Sequence, residues 1–258
     1  MRTWPYPIGT IFIIIFLWHF AVIFFNIPEY LIPAPLAVGE YIFQKWNFLL
    51  RHSWVTTYET LAGFFLSILV GIPLAIALVW SKILDRSIMP ILVVSQTFPK
   101  VAIAPLLIIW FGLGLLPKVL VSFIIAFFPV VVSGVTGMRS VETEMLELIH
   151  SMRASSLQVF WKMRLPYALP HLFSGFKVAI TFAIVGAVIG EWVGADKGLG
   201  YMLLWANANL DTVLLFSILA SLTVIGVILY YSVVMIERLI IPWHVSIREE
   251  EEAPQPTM

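Results

Sequence analysis

Ionisable residues at membrane depth are the first candidates for chemistry in this sequence. Lys100 follows Pro99 inside one long apolar stretch, and Glu191 lies in another, beside the small residues Gly186 and Gly190. Charged groups are costly in hydrocarbon, so such residues mark functional sites by default. The Lys100 ammonium could face an anionic solute, bind backbone carbonyls freed by the proline, or pair with Glu191. For Glu191 itself, a headgroup-level position or a helix-pairing role is expected.

Small residues four positions apart allow two helices to approach closely. Glycines at 186, 190 and 194 form such a stripe, which is either ordinary packing or the lining of a solute path. His19 lies among aromatic residues and is expected to be a packed, hydrogen-bonded side chain rather than a ligand.

Signatures of enzymatic chemistry are missing from the sequence. The pattern Gly-x-x-x-x-Gly-Lys-Ser/Thr does not occur, so the chain has no phosphate-binding loop for ATP. The five histidines lack metal-ligand spacing, and the absence of Cys removes disulfides and thiolate sites. We therefore expect a non-catalytic protein with no catalytic residue, cofactor or metal of its own.

The composition identifies the environment in which these residues work. Of the 258 residues, 60% are hydrophobic and 12% are charged, and the mean hydropathy is +0.97. Soluble domains have roughly 45–50% apolar and about 25% charged residues. Lys and Arg number 15, as do Asp and Glu, so no basic excess exists to bind nucleic acid. The chain is therefore predicted to be an integral membrane protein in a lipid bilayer.

Six apolar stretches are long enough to span a bilayer, since about 20 helical residues cross the hydrocarbon core. They are Ile8–Phe25, Thr60–Trp80, Ser87–Pro117, Val119–Met138, Phe176–Ala195 and Val213–Ile236. The first could be a cleaved signal peptide, but its long apolar run without a small-residue cleavage site favours an uncleaved anchor. Three prolines interrupt the third, which we interpret as one broken helix rather than two crossings.

The distribution of Lys and Arg predicts the orientation. With the N-terminus inside, ten of these 15 residues fall on the cytoplasmic side and Lys100 lies in the membrane. The other four fall outside: Lys45, Arg51, Lys118 and Lys197. This excess follows the positive-inside rule. We therefore expect both termini to be cytoplasmic, which requires an even number of spans.

Two segments beyond the spans also carry predictions. Leu36–Leu50 is amphipathic and is predicted to lie as a connecting helix on the outer membrane interface. Residues 245–258 include the run Glu249–Glu252 and are predicted to form an acidic cytoplasmic tail. No second soluble domain is evident, so residues 1–258 are expected to form a single transmembrane domain.

The inside loop Arg139–Gly175 is the most informative segment. It lacks the Gly/Ser content or dense charge of a plain linker. Apolar residues at helical spacing predict two short helices, Val141–Met152 and Ser155–Met163, the second capped by a serine and stopped by the following prolines. Helices this short are marginal in water. They are expected to pack on the protein's own base, on a partner, or on the lipid surface.

This loop resembles the cytoplasmic coupling loop of ABC importer permeases. The resemblance is carried by Glu147-Leu148-Ile149, Arg153-Ala154-Ser155 and Met163-Arg164-Leu165-Pro166. Further pieces resemble the subfamily that imports nitrate, sulfonates, taurine, bicarbonate and vitamin precursors. These are Leu31-Ile32-Pro33-Ala34-Pro35, Thr60-Leu61-Ala62-Gly63-Phe64, Pro99-Lys100-Val101-Ala102-Ile103-Ala104-Pro105-Leu106, Trp110-Phe111-Gly112, Gly190-Glu191 and Gly198-Leu199-Gly200. Their order and spacing cover nearly the whole chain, from Pro28 to Pro242.

The loop departs from the family pattern at two places. The family's Ala-Ala is Leu148-Ile149 here, and its Gly is Arg153. Glycine readily adopts a left-handed turn, whereas an ordinary residue does so at a cost of roughly 1–2 kcal/mol. Arg153 implies either a differently shaped turn, moved to Ala154–Ser156, or an extra charge that faces the partner.

The resemblance implies an all-α permease of the type I ABC importer kind, with six spans and a cytoplasmic coupling loop at 139–175. In the family this loop sits in a groove of the ATP-hydrolysing subunit. The residues implied to couple to the ATPase are Glu147, Leu148, Ile149, Ser151, Met152, Arg153, Ala154 and Ser155. Candidates for the translocation path are Lys100, Glu191, Pro99, Gly186 and Gly190.

The resemblance also implies partners and a location. The permease would form a homodimer in the bacterial inner membrane and bind two copies of a cytoplasmic ATPase, which hold the ATP and Mg. An extracytoplasmic binding protein would deliver the solute, either an anion such as a sulfonate or nitrate, or a heterocycle such as a pyrimidine or flavin. The alternatives are an ion-coupled secondary transporter, which usually has internal repeats and membrane-depth acid/base residues, and a membrane enzyme.

Overall fold

The computed structural model describes residues 5–242, which form eleven α-helices and no β-strand. In chain order these are α1 (Pro5–Phe24), α2 (Pro35–Gln44), α3 (Trp46–Trp80), α4 (Lys82–Ser95), α5 (Ile103–Phe111), α6 (Leu115–Arg139), α7 (Thr143–Ser151), α8 (Ser156–Val159), α9 (Leu165–Gly194), α10 (Leu199–Ala208) and α11 (Thr212–Ile240). A 3-10 turn at Lys100–Ala102 precedes α5, and a π-helical turn at Phe160–Arg164 joins α8 to α9. The predicted acidic tail, 245–258, lies outside the described residues.

Four described helical units are long and apolar enough to cross a membrane. They are α3, α6, the α8–α9 unit and α11. The α4–α5 pair satisfies the same criterion as one unit bent by 87°, which allows five spans within residues 5–242. Helix α1 is apolar but shorter over Gly9–Phe24, so the sixth span stays a prediction.

Helices α3, α6 and α9 form the centre of the bundle and meet through small residues. Gly63 of α3 faces Ser122 of α6, and Gly71 faces Val130, so α3 and α6 run parallel. The contacts between α6 and α9 run in the opposite order, so these two helices are antiparallel. The largest buried cluster combines residues of these three helices with others from α11, including Phe64, Ala126, Phe173, Ile180, Ala183, Leu229 and Val233.

The parallel arrangement of α3 and α6 explains the broken helix between them. The chain must cross back before α6 can begin on the side where α3 began. Helices α4 and α5 provide that return, with the break at residues 96–99, just before the 3-10 turn. The interpretation of Ser87–Pro117 as one broken helix is confirmed.

The amphipathic stretch Leu36–Leu50 does not form one interfacial helix, and this prediction is wrong. The chain breaks at Lys45, where φ is −107° and ψ is 23°. Residues before the break form α2, whereas Trp46–Leu50 begin α3. The second half of the stretch continues into a long spanning helix because Leu49 is buried against α10 and α11.

The prediction that Pro166 and Pro170 stop the second loop helix is also wrong. Both prolines lie within α9, which continues to Gly194. Pro166 falls in the first turn, where a missing N–H costs little. Around Pro170, the flanking Ala168 and Leu172 are buried in a cluster with α3 and α6 side chains, and this packing holds the helix together.

Candidate functional site

The α6–α8 segment, residues 140–155, carries the predicted coupling residues on a short helix and in the turn that follows it. The predicted helix Val141–Met152 forms as α7, Thr143–Ser151. The side chains of Leu148 and Met152 are 61% and 74% exposed, although both are apolar. Glu147 is exposed on the same helix. Helix α7 therefore presents apolar side chains and a carboxylate at the surface of the chain.

Arg153 forms the turn that ends α7. Its φ is 59°, and the Ala154 N–H donates to the Ile149 carbonyl oxygen across six residues at 3.3 Å. This pattern is a Schellman motif, in which the left-handed position is usually glycine. The turn has not moved to Ala154–Ser156, so that alternative is wrong, and Arg153 itself adopts the strained conformation.

Ser155 starts the next helix through a capping box. The Gln158 N–H donates to Ser155 Oγ at 3.3 Å, and the Ser155 N–H donates to Gln158 Oε1 at 2.8 Å. These reciprocal bonds satisfy two donors that a helix start leaves free. The predicted serine cap is confirmed, and it fixes where the segment joins α8.

Lys100 lies at the helix break, immediately after Pro99. Its Nζ donates to Gln96 Oε1 at 2.8 Å, so the ammonium bridges the two sides of the break. The bond goes to a side-chain amide rather than to a freed backbone carbonyl. The alternative pairing with Glu191 is wrong, because the Glu191 carboxylate is bound to residues of other helices.

A cavity of about 360 Å³ opens beside this break. Its aromatic walls are Phe98, which lies in the break itself, and Phe123, Phe127 and Phe128 of α6. Polar atoms come from Ser95, Gln96 and Lys100. The volume falls in the range of small-molecule sites. The arrangement could hold a flat ring whose edge carries polar groups.

Glu191 belongs to a buried polar cluster at the end of the bundle opposite the α6–α8 segment, which we call the distal end. The residue is 1% exposed. One carboxylate oxygen accepts a hydrogen bond from Thr56 Oγ1 at 2.7 Å, and the other accepts one from the Gly200 N–H. Of the two predicted positions, the structure places Glu191 in helix pairing, between α3, α9 and α10.

Sequence reasoning missed a second part of this cluster. Lys118 Nζ lies 2.9 Å from Glu59 Oε1, and the two side chains are 8% and 1% exposed. Lys118 was expected in an outside loop but lies in the first turns of α6. A stripe of polar and small residues at helical spacing along α3 could have revealed Glu59: His52, Thr56, Glu59, Gly63 and Ser67.

The predicted path glycines face α6. A Cβ added at Gly190 would lie 2.9 Å from the Lys118 Cα, and one at Gly186 would lie 2.5 Å from the Ser122 Cα. Such spacing brings the backbones of α6 and α9 together, as small residues allow. A role for these glycines in the translocation path stays a prediction.

The family of the chain follows from a comparison with family models. The model described as the inner membrane component of binding-protein-dependent transport systems matches residues 67–243. The chain belongs to this family. The fold and the loop described above are thus those of an importer permease, and the resemblance seen in the sequence is confirmed.

Named relatives support the same conclusion. The permease is 37% identical to a probable ABC transporter permease of Haemophilus influenzae, over 88% of this chain and 93% of that protein. It is 34% identical to the riboflavin transport permease RibX of Chloroflexus aurantiacus, over 94% of this chain and 92% of that protein. It is 32% identical to the formylaminopyrimidine transport permease ThiX of Halalkalibacterium halodurans, over 83% of this chain and 86% of that protein.

A solved structure shares the fold of the permease. It is an inward-facing form of the MetNI methionine ABC transporter, with a TM-score of 0.67 and 20% identity, covering 76% of this chain and 97% of that one. The all-α fold of the type I importer permeases is therefore confirmed. Family membership and the apolar helices together identify a multi-pass inner membrane protein that serves the import of small solutes.

Proposed function

We propose that this permease is the transmembrane subunit of an ATP-driven importer and receives its power stroke through α7. The observation that carries the proposal is the surface at the end of α7, where apolar Leu148 and the following Met152 are exposed beside Glu147. A short helix of this kind suits a groove on a cytoplasmic partner. The rigid capping at Ser155 would transmit motion of the α6–α8 segment into α8 and α9.

Each residue of the segment has a proposed part in this coupling. The apolar side chains Leu148, Ile149 and Met152 would enter the groove, and Glu147 would pair with a basic group at its rim. A rim ion pair adds little affinity but fixes register. Ser151, Arg153, Ala154 and Ser155 would set the angle between α7 and α8. The positive φ of Arg153 supports a defined turn here.

The proposed assembly contains two copies of the permease, two cytoplasmic ATPases that bind the ATP and Mg, and an extracytoplasmic binding protein. The excess of Lys and Arg on one side supports cytoplasmic termini and a cytoplasmic α7. In this assembly the permease performs no chemistry. ATP binding by the partners would favour one access state over the other by its differential affinity for the two.

The proposed solute is a small heterocycle, such as a pyrimidine or a flavin. The aromatic walls of the cavity at the helix break, including Phe98 and Phe127, support stacking of a flat ring. Gln96 and Lys100 would meet its polar edge. The names of the relatives RibX and ThiX support the same class of solute.

The test is uptake by vesicles that contain the permease together with its partner ATPase and its binding protein. Radiolabelled pyrimidines and flavins that the binding protein holds serve as probes. Uptake should require ATP on the α7 side and should persist when ionophores collapse ion gradients. Uptake driven by an ion gradient without ATP would overturn the proposal in favour of the secondary transporter.

A charge reversal tests the coupling role in the same vesicles. Glu147→Lys should abolish uptake while ATP hydrolysis continues. Glu142→Lys, an exposed position just before α7, is the matched control and should retain uptake. Normal uptake by the Glu147→Lys permease would show that the carboxylate does not fix the docking register.

A further inference from the structure

Three consecutive backbone N–H groups open α10, and each is bound by a side chain from another helix. Gly198 donates to His52 Nδ1 at 3.1 Å, Leu199 donates to Thr56 Oγ1 at 2.8 Å, and Gly200 donates to the Glu191 carboxylate. The first N–H groups of a helix have no partner within it. Here α3 and α9 supply all three acceptors, so the start of α10 is tied to two spanning helices.

The Thr56 hydroxyl connects this arrangement because it has one hydrogen and can also accept. It accepts from the Leu199 N–H and lies 2.7 Å from Glu191 Oε1, closer than the 3.3 Å to the His52 carbonyl oxygen. The hydrogen therefore goes to Glu191, which must present an acceptor oxygen. One hydroxyl thus joins α3, α9 and α10.

The cluster leaves no space for a side chain at Gly198 or Gly200. Gly198 has a φ of +111°, and an added Cβ would overlap the Glu191 carboxylate. A Cβ on Gly200 would come within 2.7 Å of both Glu191 Oε2 and the Val188 carbonyl oxygen. Beside this contact, the buried Glu59–Lys118 pair joins α3 to α6. The distal ends of α3, α6, α9 and α10 are thus connected by buried polar bonds and close packing.

The other side of α6 is built differently. Lys118 and Ser122 face the cluster and α9, where Ser122 Oγ donates to the Ala183 carbonyl oxygen at 2.9 Å. Phe123 and Phe127 line the cavity at the helix break instead. Helix α4, on the far side of that cavity, has no buried residue. Its Ile88, Met89 and Leu92 are only partly buried, against the cluster formed by α3, α6 and α9. The cavity therefore lies between the tightly packed helices and one helix that is packed less tightly.

We propose that Thr56 and Glu191 are positioning residues for transport, which make the distal ends of α3, α6, α9 and α10 one rigid block. The inference rests on the proposed ATP-driven import. Helix α5 stays with this block, because its Ala104 and Leu107 are buried against α6 and α9. Motion that enters through α7 then changes the cavity by moving α4 against α6, instead of opening α10 locally. A packed block and a separate moving element are what a two-state rearrangement needs.

The test removes the hydroxyl with little change of shape. Thr56→Val should raise amide hydrogen exchange at residues 198–200 by about tenfold, since two buried bonds are lost. It should lower the solute imported per ATP by roughly twofold to thirtyfold, the range of coupling effects for residues away from a ligand. The KM for the delivered solute should not change. Thr56→Ser keeps the hydroxyl and should restore both quantities.

Thr60→Val is the matched control. Thr60 is also buried on α3, and its hydroxyl donates to the Thr56 carbonyl oxygen rather than to α10. This variant should match the wild type in both measurements. Faster exchange with unchanged import per ATP would reduce the cluster to a structural role and overturn the proposal. Equal effects of Thr56→Val and Thr60→Val would overturn it as well.

Two further outcomes remain decisive. If Thr56→Val fails to fold, His52→Phe removes the half-buried acceptor of Gly198 and is judged by the same two measurements. If wild-type vesicles show no ATP-dependent uptake, the proposed function fails. The exchange measurement still decides whether the polar cluster braces α10, because it needs no transport.

Discussion

Arg139 Nη2 lies 2.9 Å from Asp85 Oδ1 and joins the last residue of α6 to the first turn of α4. The two side chains are 45% and 26% exposed. Arg139 directly precedes the α6–α8 segment, and α4 leads to the helix break beside the cavity. This ion pair therefore connects α4, the element proposed to move, to the residue that directly precedes the segment carrying the proposed coupling helix.

This connection predicts a loss of coupling without a loss of stability. Asp85→Asn and Arg139→Gln should each change the free energy of unfolding by less than about 1 kcal/mol, as exposed pairs do. Each should lower solute import per ATP, and the double variant should be no worse than either single one. Arg86→Gln, next to Asp85, is the control. Additive losses in the double variant would show that the two residues act separately.

The strained turn at Arg153 predicts a stabilising substitution. Arg153→Gly should raise the free energy of unfolding by about 1 kcal/mol, because glycine adopts a positive φ without steric cost. Thermal unfolding in detergent measures the change, and slower amide exchange at Ala154 would locate it. Ala154→Gly, at a position without a positive φ, should be destabilising instead. A destabilised Arg153→Gly would mean that the arginine side chain makes compensating contacts.

The buried Glu59–Lys118 pair predicts a strongly non-additive pair of substitutions. Lys118→Met alone should lower the free energy of unfolding by about 3–5 kcal/mol, because it leaves the Glu59 carboxylate buried without its cation. Combining it with Glu59→Leu should recover most of that loss. The more exposed pair of Lys177 and Glu237, at 22% and 10%, provides the comparison, and Lys177→Met should cost less. Thermal unfolding measures both changes. Equal losses of stability in Lys118→Met and Lys177→Met would contradict the expectation that the more buried pair contributes more.

The close approach of α6 and α9 predicts opposite effects for two glycine substitutions. Gly190→Ala should lower the free energy of unfolding by about 1–3 kcal/mol, since its Cβ would lie 2.9 Å from the Lys118 Cα. Gly39→Ala, in α2 with no atom within 4 Å of its added Cβ, should be neutral or stabilising. Unfolding midpoints of the two variants test this difference. A harmless Gly190→Ala would mean that the two helices can separate at little cost.

The cavity at the helix break predicts which side chains set solute affinity. Phe127→Ala should raise the KM for an uncharged heterocycle by about threefold to tenfold through lost stacking. Lys100→Met should have the smaller effect, because the ammonium is already bound to Gln96. Uptake kinetics in vesicles measure both. A larger effect of Lys100→Met would identify an anionic solute instead.

The membrane class, the broken helix, α7 and the serine cap of α8 were predictable from the sequence. Hydrophobic length, Pro99 at the helix break and the serine cap at Ser155 act within one helix or turn, so the order of residues determines them, whereas Pro90 and Pro105 lie inside α4 and α5. Family motifs such as Glu147 with Leu165-Pro166 likewise follow from spacing along the chain. Helix limits were less predictable, since burial of Leu49 extends α3 and packing around Pro170 continues α9.

Only the tertiary structure decided which polar residues meet. Glu59, Lys118 and Glu191 lie far apart in sequence and come together because α3 and α6 run parallel while α9 runs against them. Because this packing binds Glu191 within the polar cluster, Lys100 forms its hydrogen bond with Gln96 instead. Helical periodicity indicates which residues share a face, but the partner of that face depends on helix direction and on how closely the backbones approach.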